Sequence, residues 1–205
     1  MKKIIFFDID GTLFNVPLFI SLFHENLIDR FGLTNQDIES LKALYDQVKK
    51  EQGYFLPSLF LDKINNNFPF VDREELDKSF HSIDLFEKSV YKDTSNIKSL
   101  ANLAILGIFS QGDENFQKKK IAFMSSLLDR GNIYIFPNKV NETKQIFDKY
   151  IDFDVYLVDN DLSLLLKVRR INPSVKVILI DRSGQFNDNK DIINIKDLNE
   201  LESVL

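Results

Sequence analysis

Cysteine and tryptophan are both missing from the 205 residues, and histidine occurs only twice. Without cysteine there can be no disulfide, no thiolate zinc site and no cysteine nucleophile, and the chain suits a reducing compartment. His24 and His81 share no spacing with each other or with another ligand type, which makes them packing or surface residues. Positive charge is not concentrated either. The net charge is −5, and Lys118-Lys119-Lys120 is the one short basic run, so the clustered basic face of a nucleic-acid binder is lacking. No window approaches the roughly 18 uncharged apolar residues of a membrane span. The apolar stretch after Met1-Lys2-Lys3 is cut by Asp8 and Asp10 before a signal-peptide core accumulates. The expectation is a cytoplasmic protein with no nucleic-acid and no membrane partner.

What the chain does have is carbon. Apolar residues make up 44% and charged residues 28%, a globular balance, and 19 phenylalanines supply a large aromatic core. Ile4-Ile5-Phe6-Phe7 is a continuous apolar run stopped by Asp8-Ile9-Asp10-Gly11-Thr12, the pattern of a strand buried on both faces and then a turn. Residues 16–90 read as helical. Phe19, Ile20, Phe23, Leu27 and Phe31 recur at helical spacing before Gly32, and Thr34 is an N-cap candidate for a second helix. Further helices are predicted over 58–66 and 72–80, and Asn65-Asn66-Asn67 as a loop.

From Asn96 onward helices and strands alternate. Strands are predicted at 103–109, 132–136, 154–158, 176–180 and 191–195, with helices at 114–128, 142–150, 162–170 and 198–205. Such alternation implies right-handed βαβ units and a parallel sheet. The expected fold class is therefore α/β: a Rossmann-like parallel core with helices on both faces from residues 1–15 and 91–205, plus an all-helical cap, 16–90, inserted after the first strand.

Polar residues collect where strands end. Asp8 follows the first strand, Ser110 the second and Asp159 the fourth, and open parallel sheets bind ligands outside these carboxyl ends. Asp8 and Asp10 at one strand tip, joined by Asp159, would put three acids around one spot. Such repulsion requires a cation or a proton, and an all-oxygen set suits Mg²⁺. The alternative is that these acids only cap turns and helices.

The run Phe6-Phe7-Asp8-Ile9-Asp10-Gly11-Thr12-Leu13 resembles the first motif, DxDGT after a hydrophobic strand, of the haloacid dehalogenase-like superfamily. Ser110, Lys139 and Asp159 resemble its second, third and fourth motifs in order, and the helical block sits where that family inserts its first type of cap. The resemblance implies a magnesium-dependent phosphatase acting on a small phosphorylated metabolite. Asp8 would be the nucleophile and a metal ligand. Asp10 would be the general acid and then base, its backbone carbonyl also reaching the metal, and Asp159 the further ligand. Ser110 and the Gln111 N–H would hold the phosphoryl group, helped by the start of the 114–128 helix. Lys139 would neutralise charge, with Lys144 and Lys118-Lys119-Lys120 competing for that role.

The run Asp159-Asn160-Asp161 departs from the common fourth motif. Asn160 would stand in as a neutral oxygen, and Asp161 would be either an outer contact or an N-cap. The cap's hinges would lie at Asn15 and at Tyr91-Lys92-Asp93, and the turn Glu51-Gln52-Gly53-Tyr54, with Lys49 or Lys50, could face substrate. A phosphomutase of the same superfamily, or a catalytically weak binding module on the same fold, are the alternatives. A dehalogenase is disfavoured because those relatives generally lack an acid at the position of Asp10. The oligomeric state is not readable from the sequence.

Overall fold

The computed structural model describes residues 2–184 and 192–205. Six parallel strands form one sheet: β1 (Lys2–Phe7), β2 (Ile105–Gln111), β3 (Ile133–Phe136), β4 (Phe153–Asp159), β5 (Lys176–Ile180) and β6 (Ile193–Ile195), in the order β3-β2-β1-β4-β5-β6. The switch point lies at β1, where the chain crosses from one half of the sheet to the other. Ile4 to Phe7 of this central strand are wholly buried, as a continuous apolar run with both faces covered should be. Alternation divides them: Ile4 and Phe6 enter one core, Ile5 and Phe7 the other.

The first core lies under α8 (Lys139–Phe147) and α9 (Leu162–Ile171) and packs Phe6 edge-on against Phe147 and Tyr150. The second is larger. It runs without a break from Ile5, Phe7 and Tyr156 on the sheet to Phe23, Leu41, Phe60 and Phe80 on the inserted helices. Those helices are α1 (Val16–Phe31), α2 (Asn35–Gln52), α3 (Pro57–Asn67), α4 (Arg73–Phe80) and α5 (Ile83–Lys88).

Local chemistry sets the boundaries of several elements. Thr34 caps α2 in a capping box with Asp37, and Asp72 caps α4 by accepting from the Glu75 N–H. The Asn patch expected as a loop closes α3 instead, because Asn65 and Asn67 turn their amides onto the backbone carbonyls of Val71 and Lys63. α5 and the single turn α6 (Ile97–Leu100) were not predicted. β2 starts two residues later than its apolar run, since its register against β1 pairs Ile105 with Ile4 and leaves Leu103 in a turn. The helix expected over 114–128 ends as α7 (Glu114–Lys120), and the one expected over 198–205 is a 3-10 helix. β6 falls inside the edge strand expected at 191–195, of which Asp191 lies outside the described residues.

The chain enters and leaves the inserted helices through two adjacent passages. The Asn15 N–H donates to the Ser89 carbonyl at 2.7 Å, the Tyr91 N–H to the Leu13 carbonyl at 3.1 Å, and Phe14 bridges Val90. Arg182, just past β5, clamps this crossing. It donates to the Thr12 carbonyl, pairs with Asp93 and lies 3.6 Å over the Tyr91 ring. No helix among the described residues is long and apolar enough to cross a membrane.

Candidate active site

The carboxyl ends of β1, β2 and β4 meet beside the switch point, and each delivers a polar side chain there. Asp8 directly follows β1, and its N–H donates to the Val158 carbonyl of β4. The chain then folds tightly on itself, with Thr12, Leu13 and Phe14 all donating to the Ile9 carbonyl. This requires a positive φ of 82° at Gly11. A Cβ at Gly11 would come within 2.3 Å of the Asn160 amide nitrogen, so the two acidic loops touch through the missing side chain.

Lys139 is the first residue of α8 and reaches back beneath the sheet tips. Pro137 and Asn138 make the short link from β3, so α8 starts three residues earlier than the pattern predicted. The Lys139 ammonium lies 2.6 Å from Asp8 Oδ1 and 2.6 Å from Asp159 Oδ2. Ser110 donates to the same Asp8 Oδ1 at 3.0 Å, and the Asp161 N–H to Asp159 Oδ1 at 2.8 Å. Asp8 Oδ2 accepts no hydrogen bond from the described residues.

All four side chains are buried, Asp159 to 1% exposure. Burial alone would pull the Lys139 pKa down, but Asp8 and Asp159 together raise it, so the group stays charged. One ammonium cannot neutralise two carboxylates. Accordingly Asp159 is pushed up to about 7, first by burial and then by Asp8, with Lys139 opposing. Of the competing lysines, Lys144 pairs with Asp148 and Lys118 with Glu114 on the surface, whereas Lys139 lies between Asp8 and Asp159.

Asp10 turns elsewhere. Its Oδ1 accepts from Lys120 at 2.6 Å and its Oδ2 from Gln117 at 3.1 Å, both on α7. Lys120 is only 4% exposed and rests 4.3 Å above the Phe116 ring. The Gln117 amide also donates to the Gln111 carbonyl at 2.7 Å. The three acids therefore do not close on one point, and no three His, Cys, Asp or Glu side chains among the described residues are grouped to hold a metal. Two of them, Asp8 and Asp159, do share a buried site, and with Asp159 ionised it carries one negative charge in excess over Lys139. That charge and the oxygen-only donors suit a small hard cation.

The remaining expectations distribute as follows. The start of α7 is capped by Asp113, which takes the Phe116 N–H, so this helix end is occupied by its own carboxylate. Asp161 is the N-cap of α9, accepting from the Leu164 N–H at 3.1 Å. Asn160 packs on Gly11. Lys49, Gly53 and Tyr54 line the same cavity as the acids. His24 also lines it, and His81 packs among Phe80 and Phe86, both with pKa values lowered by burial. Gln117 was missed as a site residue, and Lys120, expected only as a competitor of Lys139, was missed as the partner of Asp10. Their signal was present in the 116, 117, 120 spacing, which sets Phe116, Gln117 and Lys120 on one helical face.

No protein-family model matches the sequence, and no curated protein does. Solved structures do match, and they define the fold as that of the haloacid dehalogenase-like hydrolases. One is a Burkholderia xenovorans protein described as a haloacid dehalogenase-like hydrolase, 21% identical, TM-score 0.73, with 98% of each chain covered. A HAD phosphatase from Thermococcus onnurineus is also 21% identical, TM-score 0.64, covering 100% of this chain and 97% of its own. The HAD-hydrolase YfnB of Bacillus subtilis, solved with magnesium bound, is 15% identical, TM-score 0.63, covering 100% and 98%. Haloacid dehalogenases share the fold as well.

Proposed function

We propose that the protein is a magnesium-dependent phosphatase that hydrolyses small phosphomonoesters through a phosphorylated Asp8. The observation that carries this reading is the carboxylate of Asp10, two residues past Asp8 and held by two buried donors. A halide leaves as a stable anion and needs no proton. An alkoxide does need one, and Asp10 is the acid within reach of the site.

In this mechanism Oδ2 of Asp8 attacks phosphorus while Oδ1 is held by Lys139 and Ser110. The bond from phosphorus to the ester oxygen breaks, and Asp10 passes its proton to the departing alkoxide. Asp10 then removes a proton from water. The water oxygen attacks phosphorus, inorganic phosphate leaves and the Asp8 carboxylate is restored. Lys139 opposes the negative charge on the phosphoryl oxygens throughout. Asp8 and Asp159 are the side chains that would hold Mg²⁺, which when bound supplies further positive charge beside the phosphoryl group. A cytoplasmic location and a phosphorylated metabolite as substrate accord with this reading.

The test runs two substrates in parallel. Phosphate release from p-nitrophenyl phosphate with Mg²⁺, its loss in EDTA, and its loss in Asp8→Asn are expected, without chloride release from 2-chloropropionate. Chloride release, or unchanged phosphate release by Asp8→Asn, overturns the proposal.

A further inference from the structure

The cavity above Asp8 is much larger than a phosphate. Its volume is about 710 Å³, and it runs from Asp8, Lys139 and Asp159 into the space between sheet and inserted helices. That is within the roughly 300–1,000 Å³ range of pockets that enclose a drug-sized ligand. The wall beyond the acids is largely carbon. Phe14, Phe19, Phe55, Phe60, Phe80 and Phe116 line it. These rings pack on one another: Phe116 lies on Phe80 at 5.5 Å, and Phe55 on Phe60 at 5.3 Å.

The donors nearest the acids are already engaged, and Gln117 Oε1 beside them is buried without a partner among the described residues. Lys120 and Gln117 hold Asp10, and Gln117 also holds the Gln111 carbonyl. The charged side chains of the inserted helices that line the cavity, Lys42, Asp46 and Lys49, are exposed, so they serve its solvent edge. His24, Tyr45, Tyr54 and Gln117 are the few uncharged polar side chains beside these rings, so most hydroxyls of a sugar seated there would be buried without partners, each costing affinity. An apolar body there forgoes few hydrogen bonds and displaces water from carbon.

We infer that the substrate is the phosphomonoester of an apolar alcohol, aryl or alkyl, whose carbon body occupies the phenylalanine chamber while its phosphate meets Asp8. This rests on the phosphatase reading for the phosphate end, and on the chamber alone for the other.

Two measurements separate those supports. The first is turnover of ethyl, butyl and hexyl phosphate beside glucose 6-phosphate, with Mg²⁺. Each buried methylene is worth about three- to fourfold, so kcat/KM should rise at least about tenfold from ethyl to hexyl, with glucose 6-phosphate below hexyl. The second is calorimetric binding of ethylphosphonate and hexylphosphonate, which cannot be hydrolysed. Hexylphosphonate should bind at least about tenfold more tightly by the same increments.

Equal binding of the two phosphonates, or faster turnover of glucose 6-phosphate than of hexyl phosphate, overturns the inference. Chain-length-dependent binding with no turnover of any ester removes the phosphatase reading and leaves the chamber standing. Phe60→Ala removes a buried ring and endangers the fold, so the half-buried Phe55 is the better probe. Phe55→Ser should cut the hexyl-to-ethyl binding ratio several-fold in a protein that still melts cooperatively. An unchanged ratio in that variant counts against the assignment.

Discussion

Replacing Lys139 by methionine removes the one cation that two buried carboxylates share, at 2.6 Å from each. The side chain keeps its length and loses its charge, so the perturbation is electrostatic. Removing one member of a buried ion pair costs about 3–5 kcal/mol, because the partner is left buried and uncompensated. For a chain of this size each kcal/mol moves the melting temperature by about 2–4 °C, which gives a fall on the order of 6–20 °C.

The loss should depend on pH in a definite direction. Asp159 already titrates at about 7 in the folded state against an ordinary 3.8. Without Lys139 its value rises further, since the opposing influence is gone. A carboxyl raised on folding keeps a proton that the unfolded chain releases, so stability falls as pH climbs from the ordinary value towards the raised one. The deficit of Lys139→Met should thus be smaller near about pH 5, where it comes mainly from Asp8, than at about pH 8 or above, where Asp159 adds to it.

The assay is a pair of thermal melts at those two pH values, in EDTA so that no cation substitutes for the ammonium. Adding Asp8→Asn to Lys139→Met removes the repulsion between the carboxylates and should recover part of the loss, a coupling expected only of groups in contact. A variant that melts within about 2 °C of the parent at the higher pH, half the shift that even 1 kcal/mol can give, refutes the reasoning. So does a deficit larger in acid.

Asp10→Asn should slow hydrolysis of alkyl phosphates by about 10²-fold or more, and that of p-nitrophenyl phosphate less, because the better leaving group needs less protonation. Lys120→Met should shift the same ratio in the same direction, since Lys120 positions Asp10. An equal loss on both esters would make Lys120 merely structural. Gly107→Ala places a methyl group 2.7 Å from Phe6 Cε1 and 2.8 Å from the Asn132 carbonyl oxygen, inside the central sheet. Overpacking of this kind costs about 1–3 kcal/mol, to be read from the urea midpoint, and an unshifted midpoint contradicts it. Finally, Mg²⁺ affinity should rise with pH and level off above about 7, because binding must displace the proton of Asp159. Calorimetric titration across that range checks this, and a flat profile defeats the assignment of Asp159 as a ligand.

How much of this was legible beforehand varied with the kind of signal. β1 announced itself because four consecutive apolar residues stop dead at an acid, and nothing but a doubly covered strand explains such a run. Thr34 marked a helix start because capping is local, and the groups that satisfy the backbone lie within three residues. Lys139 stood out among the lysines only through its place after the third strand, and its contacts with Asp8 and Asp159 are visible only in three dimensions.

Long-range pairing was not legible. The start of β2 depends on its register with β1, which an apolar run cannot specify. In the sequence Lys120 reads only as one of a run of three lysines competing with Lys139, not as the partner of Asp10. Two of the three do face solvent, and the third is buried because Phe14, Phe116 and Asp10 surround it. The carboxylate of Asp10, in turn, could be grouped with Asp8 and Asp159 on paper because its partner on α7 was hidden.

The unbroken core joining the sheet to α1–α5 limits what evolution or an engineer can do with this scaffold. The insert is no detachable accessory. Excising residues 16–88 would strip Phe14 and Phe116 of the rings of Phe19, Phe80 and Phe86 that pack on them, and the remaining chassis would present a sticky aromatic plane to its neighbours. Grafting a foreign lid would demand that its underside match that plane ring for ring, so new specificities on this framework should come from exchanging single phenylalanines in place.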